Sequence, residues 1–399
     1  MTMKITIPFQ GQLTRSKIVE LLAPVQQLDL FDEVIIEIPR KPFLRTCAIA
    51  QFTAWLIHTK WRGIEVKVQG NCDSLSYLTR MDVFKYAGMN VDEPFQRHPS
   101  AGRFVPAIPI EGINSTQNAV NAICEACIRQ CEQANSFVPA FQWALFEITD
   151  NIELHSDSNT PGIVIAQFMP KKNTLDVAIC DMGRGLKASL SESVTTQNHQ
   201  EAIVKAITRG VTRNRSIGQG NGLAGTIEIL KVNGGRLEVW TGDKTLIMDN
   251  LGNFSFRDTA YFPGTGLFLS LQTNNPIDLR KTFIQDNSYT YFESEIEKIA
   301  SAGGIRIADE CHYTGNRSAA TGLLRKICTL YPKFAEPIYL DFDGVLFASS
   351  SFLDELLGRL AENYGIQQFR QYVKIKNMRQ DLFDMANIVI HQRLEGSSC

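Results

Sequence analysis

Apolar and polar positions alternate in three successive blocks along the chain. In the first, residues 33–39 (EVIIEIP) and 64–68 (IEVKV) are short, β-branched runs of the kind that form strands. Residues 44–60 and 74–88 instead space their apolar positions at helical intervals, the second through Leu75, Leu78, Met81, Val83, Phe84 and Ala87. The middle block opens with two helical stretches, 114–135 and 138–155. It continues with strand-like runs at 162–168, 175–180, 235–241 and 266–271. A polar, glycine-rich region, 183–222, interrupts those strands, and a loop of that length inside a domain is usually functional or mobile. The last block alternates again: strand 305–308, helix 317–330, strand 337–342 (PIYLDF), amphipathic helix 351–364 and strand 372–375. Such alternation predicts an α/β (α+β) chain in three parts, residues 1–99, 110–273 and 275–399. A Pro, Ser and Gly within 97–103 mark the first linker.

Composition narrows this picture. A chain of 399 residues exceeds one ordinary core, and 44% hydrophobic with 21% charged residues is the make-up of a soluble globular protein. The 40 basic and 42 acidic residues leave a net charge of -2 with no basic block, so no nucleic-acid footprint is visible. No run approaches the length of a membrane span, and the N-terminus lacks the charged start and apolar run of a secretion signal, so the expected location is the cytoplasm. Nine scattered cysteines argue against a disulfide framework. Cys124, Cys127 and Cys131 include a C-x-x-C pair, but with Val120, Ile123 and Ile128 they recur at helical spacing and read as a core face.

Four short segments carry chemistry. In residues 146–156 (FEITDNIELHS), Glu147, Asn151 and His155 stand four apart and share one helix face. An amide oxygen there can hold Mg2+, and a carboxylate can orient or deprotonate a nucleophile. Residues 175–186 (LDVAICDMGRGL) end a buried strand in Asp181, followed by Gly183 and Gly185, so that a carboxylate can accept from an amino group where the backbone comes close. Residues 216–230 (SIGQGNGLAGTIEIL) lead Gly218, Gly220 and Gly222 into a helix from Leu223, a phosphate cradle that is neither a P-loop nor a dinucleotide fingerprint. Residues 262–271 (FPGTGLFLSL) place Gly264, Thr265 and Gly266 before a strand.

Taken in order over residues 110–273, these segments resemble the N, G1, G2 and G3 boxes of the GHKL family of ATP-binding domains. The resemblance implies a two-layer α/β sandwich with a mixed sheet, holding ATP between sheet and helices. It implies that Asn151 binds Mg2+, that Asp181 holds the adenine amino group, and that Gly183 and Gly185 shape the base pocket. Gly218, Gly220 and Gly222 would line the phosphates beside Leu223, with Thr265 below the base. Glu147 falls at the position of the family's catalytic carboxylate, and His155 near the phosphates. Residues 187–217 would form the ATP lid, whose Arg209, Arg213 and Arg215 are candidates for the triphosphate.

Outside these boxes, residues 338–360 (IYLDFDGVLFASSSFLDELLGRL) resemble a STAS-like domain of the DUF4325 type. Phosphorylatable STAS domains carry an Asp-Ser pair at this strand–helix turn. Ser349 and Ser350, with Ser351 next, occupy it here without the Asp. The reading favoured from the residues is that they cap the helix starting near Phe352, with Asp354 and Glu355 in its first turn. The first segment resembles a second STAS-like module more loosely, through residues 76–88; its turn offers only Thr46 as a hydroxyl.

Three functions follow from the two resemblances. One is an ATP-binding regulatory protein whose ATP binding or hydrolysis switches the interactions of STAS-like domains. The second is an anti-sigma-type Ser/Thr kinase acting on a STAS partner. The third is a non-hydrolysing, ATP-dependent assembly platform, in stress signalling or phage defence. A histidine kinase is disfavoured, since His58 and His98 lie in an α/β segment and a linker. Expected partners are ATP, a protein reached through the STAS-like domains, and a second copy of the chain, because GHKL proteins frequently dimerise.

Overall fold

Three larger sheets follow one another along the chain and differ in strand polarity, and a two-stranded parallel pair joins Gln12–Leu13 to Phe43–Leu44. The computed structural model describes residues 2–6, 12–13, 15–29, 32–41, 43–91, 93, 96–97, 100, 102–191, 193–208, 222–278, 282, 294–295, 304–311, 314–315, 317–330, 337–346 and 348–396. The first sheet pairs β1 (Thr2–Thr6), β2 (Glu33–Ile38) and β3 (Glu65–Gly70) in parallel, in that order. Parallel neighbours need a crossover, and α1 (Arg15–Leu22) and α2 (Thr46–Trp61) supply them. Helix α3 (Cys72–Arg80) follows, capped by Asn71, whose side chain accepts from Ser74 N at 2.7 Å.

The central sheet contains β4 (Phe104–Ile110), β5 (Gly162–Met169), β6 (Thr174–Cys180), β7 (Arg236–Met248) and β8 (Phe254–Gln272) in the order β4-β5-β6-β8-β7. Each of its described pairings is antiparallel. Parallel pairing belongs to the outer sheets, so the mixture of polarities is a property of the whole chain. Two long helices, α4 (Ile113–Gln130) and α5 (Val138–His155), connect β4 to β5.

Both faces of this sheet are buried, which explains the near-continuous apolar runs. On β5, Val164 and Ala166 join the core formed with α4 and α5, while Ile163 and Ile165 join the N-terminal core. The two-residue side-chain period divides the strand between the two cores. Each such fully buried aliphatic side chain contributes about 1.5–3 kcal/mol, so a charge at Ile165 would break the contact. Counted on the central residues alone the arrangement has two layers. Helix α2, apolar on all sides and packed across β5 and β6, adds a third.

The polar stretch between β6 and β7 holds more regular structure than its composition predicts. Helices α6 (Gly185–Leu190) and α7 (His199–Ala206) form within it, and α8 (Gly222–Asn233) leads back to β7. Asn198 caps α7 by accepting from Glu201 N at 2.9 Å, and Glu201 reaches back to Gln197 N at 2.8 Å.

In the last sheet, β9 (Ser294–Glu295), β10 (Ile305–Arg306), β11 (Ile338–Asp341) and β12 (Val373–Lys376) pair in parallel in the order β9-β12-β11-β10. Helix α9 (Arg317–Leu330) precedes β11, and α11 (Gln380–Gly396) closes the chain. Between β11 and β12, helix α10 spans residues 350–364; it starts as Ser350–Leu353, passes a π-helical turn at Asp354–Gly358 and resumes as Arg359–Tyr364. Apolar residues of this unit, among them Phe352 and Leu356, run into the same core as α5. Among the described residues no helix is long and apolar enough to cross a membrane. Cys124 and Cys127 are buried on the core face of α4, and burial pushes the Cys124 thiol up to about 12.

Candidate functional site

Helix α5 carries the first predicted residues. Its apolar sides, Leu145, Phe146 and Ile148, are buried, and Thr149 returns its hydroxyl to Leu145 O at 2.6 Å. Glu147 emerges between these packed faces beside the first residue of α8. A Cβ on Gly222 would stand 2.5 Å from Glu147 Oε2 and 3.1 Å from Glu147 Cβ, so a larger residue there would displace the tip of this carboxylate. The other carboxylate oxygen, Oε1, accepts a hydrogen bond from Ser350 Oγ. Burial raises the Glu147 pKa above the ordinary glutamate value, against the lowering effects of the Ser350 hydrogen bond and the Arg317 charge. One turn further on, Asn151 is half-buried on the same helix. His155 closes the helix, and its side chain lies outside the described residues.

The C-terminal end of α5 meets the loop after β6. Ser156 O accepts from Arg184 N at 2.9 Å, and a Cβ on Gly183 would lie 2.1 Å from that same oxygen. Asp181, at the strand end, is buried. Its Oδ1 accepts from Gly183 N at 2.8 Å and, more weakly, from Thr265 N at 3.4 Å, while its own N–H donates to Thr265 O at 2.9 Å. Neither side-chain bond uses Oδ2. Desolvation outweighs these donors and pushes the carboxyl up to about 6. A Cβ on Gly264 would be 2.0 Å from Asp181 O, so the two turns touch backbone to backbone. Gly185 adopts a positive φ of 72° beside Thr241, whose hydroxyl donates to Gly264 O at 2.9 Å and accepts from Leu186 N at 3.2 Å. Thr241 is a residue that the motifs did not point to.

Glu147, Asn151, Asp181, Gly183, Gly185, Gly222 and Thr265 therefore all belong to one connected region built on α5. Leu223 is half-buried against the helical core. Gly218, Gly220, Arg209, Arg213 and Arg215, with the rest of residues 209–221, lie outside the described residues.

The serine run of the last unit divides its labour. Ser349 is the helix cap, its hydroxyl accepting from Phe352 N at 3.0 Å. Ser350 makes no cap; it crosses to Glu147, and Ser351 reaches Asp150 Oδ2 at 3.4 Å. Asp354 and Glu355 do not serve the helix start as expected. They lie in the π-helical turn, where Asp354 accepts from Arg317 at 2.8 Å and from Arg393 at 2.6 and 2.5 Å, and Glu355 accepts from Arg317 at 2.7 Å. Two buried carboxylates need such partners, and the arginines arrive from α9 and α11.

No curated protein matches the chain. None of residues 110–273 is covered by a family match. A family match lies further along: residues 319–382 match the family described as the STAS-like domain of unknown function (DUF4325), so the chain carries a STAS-like domain in its last third, with Ser350 inside it.

Proposed function

We propose that residues 110–273 bind ATP with Mg2+ and that nucleotide occupancy switches the contacts of the C-terminal STAS-like domain. The carrying observation is that two differently equipped clusters lie along one helix, α5. At one end stand Ser156, Gly183, Asp181 and Thr265, a tight backbone cluster around a buried acceptor suited to a base amino group. At the other stand Glu147 and the start of α8 at Gly222, a helix N-terminus suited to phosphate. With a rise of about 1.5 Å per residue, Ser156 lies about 14 Å beyond Glu147 along the helix, a distance a nucleoside triphosphate can bridge. Asn151 lies between them and offers a hard oxygen of the kind Mg2+ takes.

The residues fit the group. Gly183 and Gly222 let the chain close onto Ser156 and Glu147 at either end, and both side-chain hydrogen bonds of Asp181 among the described residues fall on Oδ1. Bound Mg2+ would offset the triphosphate charge. Asp181 would accept from the adenine amino group, and Gly218 and Gly220 would join the phosphate cradle by the family resemblance. Glu147, whose burial makes it a stronger base than an exposed carboxylate, would hold or take a proton beside the terminal phosphate.

Calorimetric titration with ATP and Mg2+ tests this. Saturable binding is expected, and Asp181→Asn should weaken it about ten- to hundredfold, the worth of one hydrogen bond to a charged group. Absence of saturable binding at millimolar ATP would overturn the reading.

A further inference from the structure

We propose that the pocket between α2 and residues 261–263 of β8 is a regulatory site for a neutral, flat nitrogen heterocycle carrying a ring N–H, and that its occupancy strengthens nucleotide binding at Asp181. The binding half stands on the pocket alone; the link to Asp181 rests on the nucleotide-binding reading above. Within the otherwise apolar α2, Gln51, Trp55, His58 and Thr59 fall on one stripe that continues to the capping Arg62. All five line one pocket. Met182, Tyr261, Phe262 and Pro263 form its opposite wall, and Leu22 and Ala23 close one side.

The lining says what it takes. Gln51 is 2% exposed, and its Oε1 is buried with no hydrogen-bond partner among the described residues; His58 Nδ1 is in the same position. A buried amide oxygen without a donor is rare, and a ligand N–H would satisfy it. No carboxylate lines the pocket among the described residues, so a cation would find no counter-charge. Arg62 does not invite an anion, since its Nη1 and Nη2 already donate to Val25 O and Leu28 O. Burial and the Arg62 charge lower the His58 pKa, which favours the neutral ring. Trp55, Phe262 and Pro263 offer flat apolar faces against which a ring packs. The enclosed part is about 50 Å3, under the roughly 150 Å3 that takes a whole benzene, and the space counted out to the open mouth is about 470 Å3. The ligand therefore enters edge-first, N–H toward Gln51, with its remainder at the mouth.

The far wall is continuous with the base end of the nucleotide region. Met182 follows Asp181 in the chain, and Pro263 precedes Gly264 and Thr265. These are the two turns that meet backbone to backbone, with Asp181 N donating to Thr265 O at 2.9 Å. A ring wedged against Met182 and Pro263 would hold both turns in the arrangement that presents the Asp181 carboxylate. A ligand that prefers that arrangement tightens whatever else requires it.

The test uses the full chain labelled with 5-fluorotryptophan, with the Trp55 fluorine signal assigned through Trp55→Phe. Benzimidazole is the probe, and 1-methylbenzimidazole has the same ring without the N–H. At pH 8, without nucleotide, benzimidazole should shift the Trp55 signal saturably with a Kd at or below about 1 mM, and the methylated ring should bind about tenfold more weakly. In Gln51→Leu the two should bind alike. Ala23→Phe, a change at a half-buried position, should abolish the shift. Saturating benzimidazole should tighten ATP binding, measured by calorimetry, about fivefold or more. No saturable shift means a pocket filled by water only and overturns the site. Equal binding of the two rings by the unaltered protein overturns the role of Gln51 and the ligand class. Binding with ATP affinity unchanged overturns the regulatory link and leaves the nucleotide reading standing. Failure to bind ATP at all overturns that reading together with the link, while the Trp55 signal still decides the site.

Discussion

Asp181 and Thr265 hold each other twice: the Asp181 N–H donates to Thr265 O at 2.9 Å, and the Asp181 carboxylate receives the Thr265 N–H at 3.4 Å. The pairing fixes a strand end against a turn that begins 84 positions later and leaves a carboxylate in a desolvated place. Its pKa of about 6 against an ordinary 3.8 is a stability statement. Between those two values the folded chain binds more protons than the unfolded one, so stability falls as pH rises through the window and is flat above it. The full shift corresponds to about 3 kcal/mol. Asp181→Asn should lack this slope and be up to about 3 kcal/mol more stable at pH 7. Urea unfolding at pH 4.5 and pH 7 compares the two proteins, and identical slopes would refute the assignment. Surface carboxylates such as Glu33 and Glu37, whose partners lower their pKa values, titrate alike in both and cancel in the difference.

Gly183 and Gly222 both admit a close neighbour, yet alanine should act differently at each. At Gly183 the new Cβ would meet Ser156 backbone atoms at 2.1 and 2.7 Å, and neither can turn aside. A loss of about 3 kcal/mol is expected, at the upper end for overpacking. At Gly222 the nearest atom is the tip of Glu147, which can rotate. Stability should change by less than about 1 kcal/mol, since alanine also favours the helix. The Ser350 contact should be lost, however. Thermal melts of both variants separate the two outcomes. Comparable destabilisation would mean that Glu147 is as rigid as backbone.

Much of this region was legible in the sequence because it is local. The i, i+4 spacing of Glu147 and Asn151 on α5, the strand ending in Asp181 and the glycine turns are each contained within a few consecutive residues. Helix α7 was missed although Asn198 and Glu201 form a readable cap pair, because its few buried residues, Ala202 and Ile203, make a thin periodicity. The extent of β8 was missed because its first half is bulged and largely exposed, so that residues 254–261 lack a clean alternation. What no local pattern could give is the Ser350–Glu147 contact, which joins positions 203 apart. The same holds for Asp354: an acidic residue near a helix start looks like dipole compensation until Arg317 and Arg393 are seen to reach it from 37 and 39 positions away.

Arg15 offers a test of how the N-terminal unit is held. Its guanidinium is buried 4.7 Å over the Trp240 ring and donates from Nη2 to Thr245 Oγ1 at 2.6 Å. Nε and Nη1 have no hydrogen-bond partner among the described residues, and burial lowers the Arg15 pKa. Two unsatisfied donors cost about 1–3 kcal/mol each, which exceeds the about 0.5–2 kcal/mol from a cation over an aromatic ring. Arg15→Met keeps the volume and removes the donors, so it should stabilise the chain by about 1–2 kcal/mol. Denaturant midpoints would decide; a large loss would mean that the charge itself, through Glu238, holds the unit in place.

Asp354 is the centre on which the STAS-like domain is braced, because α9 and α11 both reach it through arginines while its side chain is only 5% exposed. Removing one member of a buried ion pair leaves the other without compensation, typically at about 3–5 kcal/mol. Here the arginines retain other partners: Arg317 holds Glu355 at 2.7 Å and Arg393 holds Glu362 at 3.0 Å. Asp354→Ala should therefore fall at the lower end, about 3 kcal/mol, and Asp354→Asn, which keeps one acceptor, should cost less. A double-mutant cycle with Arg393→Met isolates the pair, and a coupling energy above about 1 kcal/mol in urea unfolding is expected. Because Asp354 also pushes the Glu147 pKa upward, its loss should make that carboxylate a weaker base without removing it. Unchanged stability in both variants would show that the arginines, not the carboxylate, carry the brace.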